Sequence, residues 1–189
     1  NLGVNASTNL NNTDGNILGG RKLTLRGGAV DNTRGQIQAL DGNAELAIGD
    51  LNNTGGKVFA SIDLNTVAAN VVNSGSLYAG ANQTLHASGE VSNTGTILAQ
   101  GHNTINAGSV TGSASSLLAA GVKADGSLLA TGNLNVTTAQ VLRASGQNLA
   151  AGKLVFSGAT VDVAGSQTSA SNIALNASAG DVSTSGAMV

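Results

Sequence analysis

The sequence contains no cysteine and no proline, and few of its residues are charged. These absences exclude several classes of protein. Without cysteine the 189 residues can form neither a disulfide nor a thiolate metal site, which excludes thiol redox chemistry and zinc fingers. Charged residues make up 10% of the chain and the net charge is -2, so there is no basic surface for nucleic acid. No run approaches the roughly 18 apolar residues that a membrane-spanning helix requires. We therefore expect no nucleic-acid partner and no insertion into a membrane.

Aromatic residues are also scarce. Phe59, Tyr78 and Phe156 are the only three, and there is one methionine. The apolar fraction of 41% is nevertheless close to that of ordinary globular proteins. The core must therefore consist of Leu, Val, Ile and Ala packed in thin, regular layers, and Asn, Ser and Thr must provide most of the solubility.

The sequence does contain one phrase that returns at a nearly constant spacing. In chain order it reads LNNTDGNILGG, VDNTRGQIQAL, LNNTGGKVFAS, VVNSGSLYAG and VSNTGTILAQG. The apolar residues that open successive repeats lie 19 to 21 residues apart, and they are Leu10, Val30, Leu51, Val71, Val91 and Val110. A fixed period of this length is typical of architectures in which each repeat stacks on the next.

Each repeat holds three short segments in which apolar and polar residues alternate, which is the periodicity of strands. The 27 glycines and the abundant Asn and Thr argue against helices. Strands of about four to five residues cannot bury their apolar face by hairpin pairing alone, so each strand must lie on its equivalent in the next repeat. We therefore predict an all-β fold, a parallel β-helix of about nine coils with roughly 20 residues and three short strands per coil.

The repeats differ in regularity along the chain. Residues 1–110 carry the regular Asn-Thr-Gly phrases, residues 111–132 form an irregular coil without the corner asparagine, and residues 133–189 resume the pattern in diverged form. No change of composition suggests a linker, so we expect one continuous β-helical segment over residues 1–189. Neither end carries an amphipathic helix or a charged cap over the open core, which favours further coils on both sides in a longer chain.

Two sets of residues are expected to hold the coils together. Stacked asparagines at one corner can link their side-chain amides in a ladder, and Asn and Gly tolerate the positive φ of a sharp corner. The predicted corner ladder consists of Asn12, Asn32, Asn53, Asn73 and Asn93. The predicted core column consists of Leu23, Leu46, Leu64, Leu85, Ile105, Leu134, Leu154 and Ile173.

The repeated phrase L-x-N-T-x-G-x-I-x-A resembles the repeats of filamentous haemagglutinins and of contact-dependent growth inhibition exoproteins. The residues that carry the resemblance are LNNTDGNILGG, VDNTRGQIQAL and VSNTGTILAQ, and ADGSLLATGNLNVTTA at 124–139 is similar to sequence from the same group. The resemblance implies a right-handed β-helical shaft within a very large Gram-negative exoprotein. It also implies export by a dedicated outer-membrane partner transporter, and hence a secreted protein or one at the bacterial cell surface.

Three functions follow from this interpretation. The first is a non-catalytic structural shaft that extends or displays a distal adhesive or toxin-delivery activity. The second is an adhesin segment that binds glycans or receptors of a host or neighbouring cell through a lateral face. The third is cleavage of polysaccharides, which some parallel β-helices perform.

Polysaccharide cleavage requires clustered carboxylates, often with bound Ca²⁺, and a basic residue on the same face. The acidic residues here do not recur at one register, and the densest group, Asp41, Glu45 and Asp50, is interpreted as solvated corner residues. His86 and His102 are expected to face outward as isolated histidines. We therefore expect no catalytic residue, metal site or cofactor. A basic cluster of Arg21, Lys22 and Arg26 is interpreted as a solvated strand face.

Overall fold

The structure is a computed structural model that describes residues 1–123 and 125–189. Over these residues the chain forms parallel strands stacked as a β-solenoid of about nine turns, and no helix occurs among them. The predicted all-β parallel solenoid is therefore confirmed. In chain order its strands are β1 (Leu2–Asn5), β2 (Leu10–Asn11), β3 (Asn16–Gly19), β4 (Lys22–Arg26), β5 (Val30–Asp31), β6 (Gln36–Ala39), β7 (Asn43–Ala47), β8 (Leu51–Asn53), β9 (Lys57–Ala60), β10 (Leu64–Ala68), β11 (Val71–Asn73), β12 (Ser76–Ala79), β13 (Gln83–Asn93), β14 (Thr96–Ala99), β15 (Asn103–Gly112), β16 (Leu117–Ala120), β17 (Leu134–Thr138), β18 (Val141–Ala144), β19 (Gln147–Ala150), β20 (Lys153–Gly158), β21 (Thr160–Asp162), β22 (Gln167–Ser169), β23 (Asn172–Ala177) and β24 (Val182–Ser183).

The strands stack into three faces that run along the rod. Face 1 contains β1, β4, β7, β10, the first halves of β13 and β15, β17, β20 and β23. Face 2 contains β2, β5, β8, β11, the last residues of β13 and β15, β18, β21 and β24. Face 3 contains β3, β6, β9, β12, β14, β16, β19 and β22. In β13 and β15 the chain passes from face 1 to face 2 within one strand, and a shift of register between Ala87 and Glu90 makes the bend.

The interior is filled by every second side chain of each strand, because successive side chains of a strand point to opposite sides. Face 3 contributes an apolar row from Ile17 to Leu118, in which Ile37, Val58, Leu77 and Ile97 are fully buried. Phe156 is the one aromatic side chain of the core, with no exposed surface. Each coil therefore covers the apolar interior of its neighbours, as the repeat period predicted.

The strand register divides the predicted core column between two adjacent columns. Leu23 pairs with Ala44, and Ala44 pairs with Leu64, so Leu46 belongs to the column of Leu25. The first column is Leu23, Ala44, Leu64, Gln83, Asn103, Leu134, Leu154 and Ile173. The second is Leu25, Leu46, Thr66, Leu85, Ile105, Val136, Phe156 and Leu175. The prediction of a single column was wrong because it assumed that the large apolar residues of successive repeats are stacked. Corners of unequal length instead bring small or polar side chains into register with them.

A long corner between faces 3 and 1 interrupts the regular outline. It contains the described residues between β16 and β17, 121–123 and 125–133, whereas the same corner in the preceding coil is residues 100–102. Gly121 has a φ of 70°, Val122 forms an antiparallel bridge with Leu128, and the Leu129 N–H donates to the Gly121 carbonyl at 2.7 Å. The irregular stretch is shorter than the predicted one of residues 111–132, because β15 and β16 keep the regular strand pairing up to residue 120.

The glycine that closes the repeated phrase is required for a steric reason. A Cβ on Gly56 would lie 2.1 Å from the Asn32 carbonyl oxygen of the preceding coil. The positive φ falls one residue earlier in the phrase, at 54° for Asp14, 52° for Arg34 and 60° for Gly55. The expectation that the corner glycines supply positive φ therefore holds at Gly55, whereas at Gly56 the close approach of two coils excludes a side chain.

Candidate functional surfaces

Five buried asparagines form a chain of hydrogen bonds inside the corner between faces 2 and 3. The Asn12 Nδ2 donates to the Asn32 Oδ1 at 2.7 Å, and Asn32 donates to Asn53 at 2.8 Å. Asn53 then donates to Asn73 at 2.7 Å, and Asn73 donates to Asn93 at 2.8 Å. All four bonds have the same direction, so each of the three central amides accepts from the coil before it and donates to the coil after it. We call this chain the asparagine ladder.

The ladder asparagines also bind the backbone of the turns. The Asn53 Nδ2 lies 3.3 Å from the carbonyl oxygen of Gly56 in its own turn and 3.2 Å from that of Ser76 in the next coil. A primary amide offers two N–H donors and one carbonyl acceptor on a short side chain. One residue type thus closes a turn and links two coils, which explains why the position repeats as asparagine.

The asparagine ladder ends at Asn93. The next position in the column is Gly112, which pairs with Asn93 but has no side chain, and Ala144 follows it. Beyond that point a different buried side-chain amide, on face 3, links successive coils. The Asn148 Nδ2 donates to the Ala144 carbonyl and to the Thr168 hydroxyl, both at 3.0 Å. The sequence showed the loss of the corner asparagine after residue 110, but not this replacement.

A second, solvent-exposed chain of contacts follows the corner between faces 3 and 1. The Asn82 N–H donates to the Asp63 carboxylate at 3.0 Å, and the His102 N–H donates to the Asn82 Oδ1 at 3.0 Å. The Asn133 N–H then donates to the His102 Nδ1 at 3.1 Å, and the Lys153 N–H to the Asn133 Oδ1 at 2.9 Å. His102 is thus exposed, as expected, and serves as one of these acceptors between coils.

The charged side chains also join neighbouring coils. Among the described residues, three ion pairs connect successive coils at the surface, and they are Lys22–Glu45 at 2.7 Å, Arg34–Asp14 at 2.6 Å and Arg143–Asp162 at 3.0 Å. Hydrogen bonding to the Arg34 guanidinium holds the pKa of Asp14 below its ordinary value. For Asp162, the backbone N–H of Ala164 is the main cause of a lowered pKa, with Arg143 adding to it.

The acidic residues do not converge on a catalytic or metal-binding constellation in the described part of the chain. Glu45 pairs with Lys22, and the Asp50 carboxylate accepts from the Asn70 Nδ2 at 2.9 Å. Within residues 1–123 and 125–189, no three His, Asp or Glu side chains are grouped so that they could hold a metal ion. His86 is exposed on face 1, on the outward side of β13, in agreement with the alternation.

Two of the three aromatic side chains point outward on face 3. Phe59 and Tyr78 are half-buried, while their neighbours Val58 and Leu77 point into the core. The two rings stack with centroids 5.5 Å apart and an angle of 7° between their planes. Sequence reasoning missed this pair. The alternation of apolar and polar residues nevertheless gave the signal, because each ring lies one residue after an inward apolar side chain.

The stacked rings lie in a shallow groove of about 300 Å³ on face 3, which we call the aromatic groove. It is lined by Lys57, Phe59, Ser76, Tyr78, Thr96 and Leu98. The Lys57 Nζ lies 4.9 Å from the centre of the Phe59 ring, and the Gln100 Nε2 donates a hydrogen bond to the Tyr78 hydroxyl oxygen. Next to Leu98, at one end of the groove, Val122 of the long corner packs in the same hydrophobic cluster.

The described residues include no helix that is long and apolar enough to cross a membrane. No curated protein and no solved structure shows a significant match to the chain. The model of the haemagglutinin repeat matches residues 1–55, 39–128 and 98–188. Proteins with this repeat are generally secreted or surface-exposed, occur in the context of two-partner secretion and are typically non-enzymatic. Because the three matches together cover almost every residue, the chain belongs to the haemagglutinin repeat family.

Proposed function

We propose that this segment is a non-catalytic shaft, which extends or displays an adhesive or toxin-delivery activity located elsewhere in a longer exoprotein. The observation that supports the proposal is the parallel register, in which the same three faces continue from β1 to β24 past the long corner. A solenoid of this kind has a length set by the number of its coils, which is the property that a spacer needs.

The use of the polar side chains supports the same function. Buried amides form the asparagine ladder, and half-buried carboxylates such as those of Asp63 and Asp162 accept hydrogen bonds from neighbouring coils. Cleavage of a polysaccharide would require carboxylates and a base directed at one substrate position. Here the polar groups stabilise the rod instead, which disfavours a polysaccharide-cleaving role.

We further propose that the protein reaches the bacterial surface, or the medium, through an outer-membrane partner transporter. The composition suits this route. A chain without cysteine cannot be locked by a disulfide, and one without proline is not slowed by prolyl isomerisation while it is threaded through a pore. Coils that pair with neighbours about 20 residues away can then fold one after another on the far side.

The shaft function can be tested by removing whole coils from the full-length exoprotein. Deletion of residues 52–91 joins Leu51 to Ser92 and removes two coils, because Leu51, Val71 and Val91 are equivalent. We expect normal secretion and an intact distal activity. Deletion of residues 52–61 is the matched control, since it joins Leu51 to Ile62 and breaks the register of all three faces.

Direct adhesion through a lateral face makes the opposite prediction. If the isolated 189-residue segment bound saturably to a glycan array, and if deletion of residues 52–91 abolished adhesion while secretion continued, the segment would be a binding module. Equal loss of secretion from both deletions would contradict the proposal that coils are interchangeable spacer units.

A further inference from the structure

The aromatic groove on face 3 has the chemistry of a binding site, which the shaft function does not require. We propose that it binds the carboxylate and alkyl chain of a medium-chain fatty acid. The proposal is independent of the role as a shaft, since it rests on the outward side of three coils, whereas the shaft depends on their inward side.

The polar side of the groove is suited to an anion. Lys57, Ser76 and Thr96 are outward partners on successive strands of face 3, so an ammonium group and two hydroxyl groups follow one another in a row. Lys57 is the charged side chain of the lining, and no carboxylate of the described residues lies within ion-pair distance of it. The groove therefore presents a positive charge that a ligand carboxylate can neutralise.

The aromatic pair contributes to the same polarity. Because the rings of Phe59 and Tyr78 stack on each other, each ring covers part of one face of the other. The edge of an aromatic ring carries the positive part of its quadrupole, and the negative Phe59 face is approached by the Lys57 ammonium. An anion is thus favoured beside these ring edges.

The stacking also disfavours a sugar as the occupant. Pyranose rings bind aromatic side chains by lying on an open ring face, because their C–H groups contact the π-electrons. In this groove Tyr78 covers part of one face of Phe59, and the Lys57 ammonium approaches the same ring. Tyr78 in turn packs against the cluster that contains Leu98 and Val122, so little open ring surface is left as a platform. Contact along ring edges suits a flexible alkyl chain better than a rigid ring.

An apolar row completes the site. Phe59, Tyr78 and Leu98 are outward partners on three successive strands, and they span about 10 Å along the rod at the usual spacing of parallel strands. Leu98 has 6% of its surface exposed, because it packs in one cluster with the buried Val122 of the long corner. An alkyl chain whose carboxylate binds Lys57 can lie over the half-buried rings of Phe59 and Tyr78 and end at Leu98.

The protein contains an intrinsic reporter for this site. Tyr78 is the only tyrosine and there is no tryptophan, so the intrinsic fluorescence near 300 nm comes from the groove itself. We would titrate the 189-residue protein with decanoate, with the neutral decyl maltoside and with glucuronate. We expect a saturable change of fluorescence with decanoate, a weaker response to decyl maltoside and none with glucuronate.

Matched variants locate the binding. Lys57→Gln should weaken the apparent affinity for decanoate about two- to fivefold, which corresponds to the loss of one exposed charge pair. Lys153→Gln makes the same change at an exposed lysine outside the groove and should leave the affinity unchanged. No saturable response to decanoate would overturn the proposal. So would equal binding of decyl maltoside with no effect of Lys57→Gln, which would indicate unspecific apolar adsorption, and so would binding of glucuronate alone.

Discussion

The side-chain amide of Asn53 donates a 2.7 Å hydrogen bond to the Oδ1 of Asn73, although 20 residues separate them along the chain. Both side chains are almost completely buried, with 0% and 1% of their surface exposed. A bond of this kind between equivalent residues can form only if successive coils lie directly on each other.

Replacement of Asn53 by leucine should destabilise the rod. The variant leaves the Asn73 Oδ1 without its donor inside the corner and removes one of the three acceptors of the Asn32 Nδ2, at a cost of about 2 to 4 kcal/mol in the free energy of unfolding. Asn65→Leu is the control, because Asn65 is exposed on face 1, and it should change stability by less than about 0.5 kcal/mol. Urea denaturation of both variants measures the difference, and equal effects would contradict a structural role for the asparagine ladder.

The two glycines of the third repeat phrase should respond differently to alanine. Gly56→Ala places a Cβ against the Asn32 carbonyl oxygen and should cost about 3 kcal/mol through forced separation of two coils. Gly55→Ala has space and must only adopt a positive φ, as Asp14 and Arg34 do at equivalent positions, which should cost about 1 kcal/mol. The denaturation midpoints of both variants test this order. The reverse order would mean that the positive φ at Gly55, and not the close approach of two coils at Gly56, decides which residues the corner accepts.

An aspartate at position 85 should be far more harmful than one at position 86. Leu85 has 0% of its surface exposed in the second core column, so Leu85→Asp buries a carboxylate among apolar neighbours and should cost several kcal/mol. His86→Asp makes the same substitution on the outward side of β13 and should alter the melting temperature little. If the two variants melted alike, the assignment of inward and outward positions on face 1 would be incorrect.

Replacement of Gln83 by leucine should stabilise the protein. Gln83 lies in the first core column with 2% of its surface exposed, and neither atom of its amide has a hydrogen-bond partner among the described residues. Removal of an unpartnered buried amide should gain about 1 to 2 kcal/mol. The neighbouring amide of Asn103 differs, since its Nδ2 donates to the carbonyl groups of Ile97 and Ala119. Asn103→Leu should therefore give no gain, and thermal melting of both variants distinguishes the two cases.

Stability should decrease in acid, because the ionised carboxylates of some aspartates accept hydrogen bonds from the next turn or coil. The pKa of Asp162 is lowered from its ordinary value of 3.8, chiefly because its carboxylate accepts from the Ala164 N–H. Because the pKa is lower in the folded state, the ionised carboxylate stabilises the fold above pH 3.8. This stabilisation is lost as the pH falls through the pKa of the folded state. Asp162→Asn should therefore unfold with a shallower pH dependence between about pH 5 and pH 2 than the parent protein. Identical pH profiles would exclude a contribution from Asp162.

The repeat period was enough to predict the solenoid, because five Asn phrases spaced by 20 or 21 residues are compatible with few other architectures. It was not enough to predict the core register. Ala44 and Gln83 occupy positions at which the leucines Leu46 and Leu85 were expected, and corners of variable length decide which residue faces inward. Such variation is set by contacts between coils, which a single sequence does not display.

The aromatic groove could have been predicted in part. Phe59 follows the inward Val58 and Tyr78 follows the inward Leu77, so strict alternation places both rings outside. Their stacking depends on a 19-residue step between the two coils, which brings the rings onto partner positions. The packing of Val122 against Leu98 was not predictable, because the long corner carries no repeat signal.

The most direct test of vertical stacking is a set of distances between spin labels along one face. Since the protein has no cysteine, Thr24→Cys can be combined in turn with Thr104→Cys, Asn135→Cys and Val155→Cys, all outward positions of one column on face 1. Stacked coils predict label separations of roughly 19, 24 and 29 Å, with equal steps of about 4.8 Å. The step from Thr104 to Asn135 should equal that from Asn135 to Val155, although it spans 31 residues instead of 20. Unequal steps, or distances that follow the separation in sequence, would contradict the stacked rod.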